Sequence, residues 1–132
     1  MARILVVEDS QTVISLVEQL LCSIGHKVHT ARDGLTALAA VRALVPEIIL
    51  LDKRLPHVDG FEVCSTLHRN PAYQSIPIVM MSGLSDQASI EKAHSVGAVG
   101  YLTKPFSNAD LVEAVERNLA SGCNTAEVFP GN

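Results

Sequence analysis

Acidic, hydroxyl and ammonium side chains stand at the ends of four apolar runs in this 132-residue sequence. Glu8 and Asp9 end the first run, and Asp52 ends the third. Ser82 ends the fourth run, and Lys104 follows the fifth. Ligands bind open parallel sheets outside the carboxyl ends of the strands. If these runs are parallel strands, three carboxylates, one hydroxyl and one ammonium therefore meet at one sheet edge.

The three carboxylates predict a bound cation. Taken singly, Asp9 could cap a helix, Asp52 could be a turn residue and Lys104 could be a solvated charge. Together the carboxylates repel one another, and a divalent cation offsets that repulsion whereas a turn does not. No Cys or His stands at these strand ends, so the oxygen ligands favour Mg²⁺ or Mn²⁺. Neutralised carboxylates beside Lys104 would then receive a dianion, which we predict to be a phosphoryl group.

The apolar pattern predicts the elements that position these groups. The first run, Arg3 to Glu8, is apolar without alternation at its four inner positions, which is typical of a strand covered on both faces of a parallel sheet. Apolar residues then recur every three or four positions up to Gly25, as in an amphipathic helix. This unit repeats along the chain, with strands predicted at 3–8, 27–31, 47–51, 78–81 and 99–102.

Helix ends and helix faces are predicted from local signals. Asp33–Gly34 and Asp59–Gly60 are turn formers, and the fifth helix opens on a capping-box pattern from Ser107 to Asp110. The second helix is predicted to bury a stripe of Leu35, Leu38, Val41 and Leu44. Five strands alternating with five helices predict a doubly wound α/β sandwich, because parallel strands require right-handed helical crossovers. We expect one domain over residues 1–121 and a short polar tail over 122–132.

Composition excludes several classes of protein. The net charge is −4 and no run of Lys or Arg is present, so direct nucleic-acid binding is not expected. The longest apolar runs are far shorter than the roughly 20 residues that cross a bilayer, so membrane insertion is not expected. The N-terminus lacks a signal-peptide pattern, which predicts a cytoplasmic location. Three widely spaced cysteines fit neither a disulfide framework nor a zinc site.

Five motifs, in this order and spacing, resemble one family. The motifs are Glu8–Asp9, Asp52 with Pro56 and Asp59–Gly60 after it, Ser82–Gly83, Tyr101, and Lys104–Pro105–Phe106. Over residues 3 to about 121 the chain resembles the receiver domain of two-component response regulators, of the single-domain chemotaxis-regulator type. The resemblance implies a flavodoxin-like (βα)5 fold with a five-stranded parallel sheet in the order 2-1-3-4-5.

The resemblance also implies a phosphoacceptor and a metal site. Asp52 would accept a phosphoryl group from a sensor histidine kinase or a histidine phosphotransfer protein. Asp9 and Asp52 would bind Mg²⁺ directly, and Glu8 would act mainly through a metal-bound water. The backbone carbonyl of Arg54 would supply a further ligand.

The same resemblance assigns roles near the phosphoryl group and at the output surface. Lys104, on a cis peptide bond to Pro105, would pair with one phosphoryl oxygen, and Ser82 would donate to another. Tyr101 would be the partner switch residue, moving inward as Ser82 moves toward the phosphoryl group. Ten residues after Gly122 are too few for an output module, so a downstream protein would bind the face of the fourth helix, fifth strand and fifth helix. That face includes Ile90, His94, Tyr101 and Phe106.

Two other functions are compatible with parts of this pattern. A Mg²⁺-dependent aspartyl-nucleophile phosphohydrolase of the haloacid-dehalogenase type also uses a strand-end Asp and a Lys. It needs a second acid two residues after the nucleophile, and Arg54 stands there. A flavodoxin-like flavin carrier would bind phosphate at its first loop, where Glu8–Asp9 repels it, and the chain has no Trp to stack on the flavin ring. The sequence therefore favours a signalling switch that catalyses only its own phosphotransfer and slow dephosphorylation.

Two cations beside Asp52 depart from the pattern of the family. Position 53 usually carries an apolar residue and position 54 a Met or Asn, whereas this chain has Lys53 and Arg54. Arg54 is either solvated or leans over the pocket to contact the phosphoryl group or the kinase. Leu84, two residues beyond Ser82, would shield the site from water.

Overall fold

The computed structural model describes residues 2–83 and 87–120 of the chain. Strands and helices alternate throughout these residues. The strands are β1 (Arg3–Val7), β2 (Lys27–Ala31), β3 (Ile48–Asp52), β4 (Ile78–Ser82) and β5 (Gly100–Thr103). The helices are α1 (Gln11–Ser23), α2 (Gly34–Leu44), α3 (Gly60–His68), α4 (Gln87–Ser95) and α5 (Asn108–Ala120). The predicted tail, 122–132, lies outside the described residues.

The strands form one parallel sheet in the order β2-β1-β3-β4-β5. This confirms the doubly wound (βα)5 fold and the strand order that the resemblance implied. The order reverses direction between β1 and β3, where the chain moves from one half of the sheet to the other. The carboxyl ends of β1 and β3 therefore lie side by side, with Val7 in register with Leu51.

Helices cover both faces of the sheet and produce two apolar layers. One layer lies between the sheet and helices α2, α3 and α4, and it contains Leu5 and Ile49. The other lies between the sheet and helices α1 and α5, and it contains Ile4 and Ile48. Strands β3 and β4 are buried at every position, which is why their sequences show no polar alternation.

Side-chain caps fix where the helices start. Ser10, Asp33 and Asp59 each accept a backbone N–H from the first turn of α1, α2 and α3 respectively. The pairs predicted as turns at Asp33 and Asp59 are therefore helix caps, because a short side-chain acceptor serves both purposes. At α5, Ser107 Oγ accepts from Asp110 N at 3.0 Å, and Ser107 N donates to Asp110 Oδ2 at 3.5 Å. The predicted capping box is confirmed.

The buried face of α2 differs from the predicted stripe. Leu35 is 57% exposed, so its place in that stripe was wrong. Gly34, Ala37 and Val41 face the sheet instead. Gly34 lies so close to the backbone of Val58 that a Cβ atom would overlap it, and small residues therefore let α2 approach its neighbours.

Strand boundaries differ from the predictions by one residue in several places. The third strand runs one residue further than predicted, to Asp52, and the fourth includes Ser82. These polar residues make ladder hydrogen bonds, which sequence patterns do not reveal.

Among residues 2–83 and 87–120, no helix is long and apolar enough to cross a membrane.

Candidate functional site

Three polar side chains are buried together at the carboxyl edge of the sheet. Glu8 follows β1 and is 2% exposed, Asp52 ends β3 and is 7% exposed, and Ser82 ends β4 and is 4% exposed. Lys104 follows β5, and its backbone N–H donates to the Ser82 carbonyl at 2.7 Å. The sheet register thus brings strand ends from four parts of the sequence to one pocket.

Lys104 bridges the two buried carboxylates. Its Nζ lies 2.6 Å from Glu8 Oε1 and 3.3 Å from Asp52 Oδ1. The other Glu8 oxygen, Oε2, accepts the backbone N–H of Ser10 at 3.1 Å. Both oxygens of Glu8 therefore have donors, which allows this carboxylate to be buried.

The balance of charge is less favourable for Asp52. Burial, followed by repulsion from Glu8, raises the pKa of Asp52 to about 6, although Lys104 and the backbone N–H of Arg54 act in the opposite direction. One ammonium thus serves two buried carboxylates. The pocket carries excess negative charge that a cation would stabilise.

Asp9 does not join this cluster. Its side chain is exposed, and its backbone carbonyl accepts from Arg32 Nη2 at 3.0 Å. In the part of the chain that the structure describes, no group of three or more His, Cys, Asp or Glu side chains is arranged to hold a metal ion. The structure therefore brings two of the three predicted carboxylates together, with Lys104 rather than Asp9 as their neighbour.

The chemistry of these donors nevertheless fits a hard divalent cation. Glu8 and Asp52 offer carboxylate oxygens, and no thiol or imidazole is among the residues described at the strand ends. The geometry supports the fit, because two buried carboxylates share the one ammonium of Lys104 and a negative charge is left over for a cation to balance. Asp9 is the adjacent residue whose exposed side chain could complete the set.

The loop after Asp52 is shaped by a glycine. A Cβ atom at Gly60 would overlap the carbonyl of Asp52, so only glycine allows α3 to start this close to the end of β3. The Gly60 N–H donates to the Lys53 carbonyl at 2.9 Å. This contact fixes the backbone beside Asp52. Arg54 is exposed on the same loop.

Tyr101 lies within β5, and Pro105 directly follows Lys104. Tyr101 is 5% exposed and packs in the layer that contains α3 and α4. The Lys104–Pro105 peptide bond is cis, which confirms the expectation from the resemblance. Leu84 lies outside the described residues.

One buried polar residue that contacts the loop after Asp52 was not predicted from the sequence. Ser89 of α4 is 8% exposed, and its Oγ accepts a hydrogen bond from Lys53 Nζ at 3.2 Å. Its spacing of four residues before the buried Ala93 indicated an inward position. The partner was not predictable, because Lys53 is 36 positions away.

The flavodoxin-like sheet and the buried carboxylates beside Lys104 are the features of a domain that switches by phosphorylation. Residues 4–116 match the family of the response regulator receiver domain. The chain belongs to this family.

Relatives and solved structures agree with that assignment. Protein PilG of Pseudomonas aeruginosa is 38% identical over 122 residues, covering 90% of this chain and 88% of PilG. The response regulator PleD of Caulobacter vibrioides is 40% identical over 114 residues, which cover 86% of this chain and 25% of PleD. The chemotaxis response regulator CheY4 of Vibrio cholerae superposes with a TM-score of 0.85 at 32% identity, covering 90% of this chain and 99% of that one. The domain is thus a phosphorylation-dependent switch of two-component signalling.

Proposed function

We propose that Asp52 is the phosphoacceptor and that the donor is a phosphohistidine on a sensor histidine kinase or a histidine phosphotransfer protein. An Asp52 oxygen attacks phosphorus in line, an O–P bond forms, and the P–N bond to histidine breaks. The leaving imidazole nitrogen takes up a proton. The observation that carries the proposal is the buried pair of carboxylates bridged by Lys104, with the pKa of Asp52 raised to about 6. At pH 7 a carboxyl group with this pKa is mostly ionised and able to attack.

Glu8, Asp9, Asp52 and the backbone carbonyl of Arg54 would hold Mg²⁺, or Mn²⁺ in its place. The cation would neutralise charge on the phosphoryl oxygens during transfer. Support comes from the oxygen chemistry of the donors and the excess negative charge beside Lys104. Receiver domains generally bind Mg²⁺ at their acidic pocket, and this chain belongs to that family.

Lys104 and Ser82 would contact the transferred group. The ammonium of Lys104 is already within 3.3 Å of Asp52, so it can pair with a phosphoryl oxygen without a change in the fold. Ser82 ends the neighbouring strand, and its hydroxyl would donate to a second oxygen. Tyr101 would follow Ser82 as the switch residue, and its side chain is already buried in this structure.

The output surface would be the face of α4, β5 and α5, which includes Ile90, His94, Tyr101 and Phe106. A pocket of about 330 Å³ between β5 and α5 supports this choice. Its lining includes Tyr101, Phe106, Asp110 and Arg117, so a downstream protein would find both apolar and charged contacts there. We also expect the domain to work in the cytoplasm, where it would meet the sensor histidine kinase or the histidine phosphotransfer protein.

The domain would catalyse its own phosphorylation and slow dephosphorylation rather than turn over a metabolite. The alternative, a phosphohydrolase, needs an acid two residues after the nucleophile, and the exposed cation Arg54 occupies that position. This substitution favours the switch.

The test is incubation with acetyl phosphate and Mg²⁺, followed by intact mass and peptide mapping. We expect a labile gain of one phosphoryl group in the wild type and none in Asp52→Asn. Asp59→Asn is the matched control, because Asp59 is an exposed helix cap on the same loop and should be labelled like the wild type. Labelling that survives Asp52→Asn, or multiple-turnover hydrolysis of phosphate esters, would overturn the proposal.

A further inference from the structure

Lys53, the residue after Asp52, binds a buried serine that lies outside the acidic pocket. Among the described residues, the buried polar side chains are Glu8, Asp52, Ser82 and Ser89. The first three form the pocket, whereas Ser89 lies on α4. Lys53 Nζ donates to Ser89 Oγ at 3.2 Å. The ammonium of Lys53 thus connects the loop after Asp52 to helix α4.

An aromatic ring on α3 also contacts this ammonium. Lys53 Nζ lies 5.6 Å from the centroid of the buried Phe61 ring, and Lys92 Nζ from α4 lies 5.2 Å from the same centroid. Both distances are within the range of cation–π attraction. Because two like charges share one ring and repel each other, Lys53 is held there less firmly than a lone ammonium would be.

The backbone of Lys53 is fixed, so only its side chain is free to exchange partners. Its N–H donates to the Met81 carbonyl at 3.0 Å, and its carbonyl accepts from Gly60 N at 2.9 Å. The side chain is half-buried and has four rotatable bonds. The ammonium can therefore leave Ser89 without a change in the strand that carries Asp52.

We propose that Lys53 is a positioning residue of the switch, holding α4 while Asp52 is unphosphorylated and releasing it when Asp52 is phosphorylated. The inference rests on the proposed function of Asp52. An aspartyl phosphate carries more negative charge than a carboxylate, and this charge attracts the adjacent ammonium away from the neutral Ser89 hydroxyl. A contact that exists in one of two states biases the equilibrium toward that state. The Lys53–Ser89 contact accordingly opposes phosphorylation and links its charge to α4.

The test is a double-mutant cycle in the full chain, read by the affinity for beryllofluoride, a phosphoryl mimic, with Mg²⁺. The proteins are wild type, Lys53→Met, Ser89→Ala and the double variant, and binding is followed by amide chemical shifts in an NMR titration. Lys53→Met keeps most of the stem of the side chain and removes its charge. Ser23→Ala is the matched control, because Ser23 is an exposed serine on α1, on the opposite face of the sheet.

We expect Ser89→Ala to tighten beryllofluoride binding about threefold when Lys53 is present, which is a modest effect for a partly solvated charged hydrogen bond. In the Lys53→Met background the same substitution should leave the affinity unchanged. Ser23→Ala should leave the affinity for beryllofluoride unchanged in both backgrounds. Equal effects of Ser89→Ala in both backgrounds, or no effect in either, would overturn the role of Lys53, since a merely structural contact is not state-dependent.

The proposed function has a separate readout in the same titration. A wild type that does not bind beryllofluoride, or an Asp52→Asn variant that binds it equally well, would overturn the assignment of Asp52. If the protein binds beryllofluoride through Asp52 but the double-mutant cycle shows no coupling between Lys53 and Ser89, only the inference about Lys53 is overturned.

Discussion

Lys104 lies closer to Glu8, at 2.6 Å, than to Asp52, at 3.3 Å. The ammonium thus has the carboxylate from 96 residues earlier as its nearer partner. Asp52 is the less compensated of the two acids, and its pKa is raised to about 6. Its excess charge makes it the side chain that gains most from a cation or from protonation.

Asp52→Asn should stabilise the protein in the absence of metal. Asn keeps the shape of the side chain and removes a buried charge that Glu8 repels. At about 1.4 kcal/mol per pKa unit, the raised pKa corresponds to a gain of about 1–3 kcal/mol near pH 7. Urea unfolding in EDTA measures it, with Asp59→Asn as the control. A variant less stable than the wild type would show that Lys104 more than balances both acids.

The stability of the wild type should fall with rising pH where Asp52 titrates. The ordinary pKa is 3.8 and the folded-state value is about 6, so the folded state binds more protons between them. The free energy of unfolding should therefore decrease from about pH 4 through about pH 6 and level off above. The difference between wild type and Asp52→Asn across this range isolates the contribution of Asp52. A difference that is constant with pH would contradict the raised pKa.

Lys104→Met should raise the pKa of Asp52 further and destabilise the fold at neutral pH. The substitution leaves two buried carboxylates without their shared cation, which costs about 3 kcal/mol when one partner of a buried ion pair is removed. NMR titration of Asp52 gives its pKa, and urea unfolding gives the free energy. Lys27→Met, at an exposed site on edge strand β2, should stay within about 0.5 kcal/mol of the wild type.

Mg²⁺ should stabilise the fold moderately without being required for it. Two apolar layers hold the sheet, so EDTA should leave the protein folded at room temperature. Added Mg²⁺ should raise the free energy of unfolding by about 1–3 kcal/mol at 10 to 100 times its Kd. Asp52→Asn should lose most of that gain. Melting in EDTA alone would make the metal structural and contradict the site assignment.

Arg54 and Leu84 should lengthen the lifetime of the aspartyl phosphate. The long stem of Arg54 can cover the phosphoryl group, and Leu84 offers no group to orient water. Arg54→Ala and Leu84→Asn should each speed dephosphorylation a few-fold, about 1 kcal/mol or less in barrier. Arg54→Met keeps the bulk and separates shielding from charge. Unchanged or slower decay in both the Ala and Asn variants would show that neither side chain shields the phosphoryl group from water.

The order of the strands and helices, and the polar residues at the strand ends, were predictable from local sequence patterns. Unbroken apolar runs and helical spacing reflect local backbone geometry and burial on two faces, so they predicted all five strands to within about a residue. Helix caps were predictable for the same reason, although Asp33 and Asp59 are equally typical of turns. Asp52 and Lys104 were recognisable because strand ends of parallel sheets share one edge.

The contacts between these polar side chains depend on the packing of the whole domain and were not predictable. That packing set Lys104 between Glu8 and Asp52 and left Asp9 exposed, because side-chain contacts depend on sheet register and helix placement over long sequence separations. It also exposed Leu35, since the close approach of Gly34 to Val58 fixes how α2 is turned on the sheet. The Lys53–Ser89 contact has the same origin: the distance between α4 and the end of β3 is a property of packing and is not encoded in either local pattern.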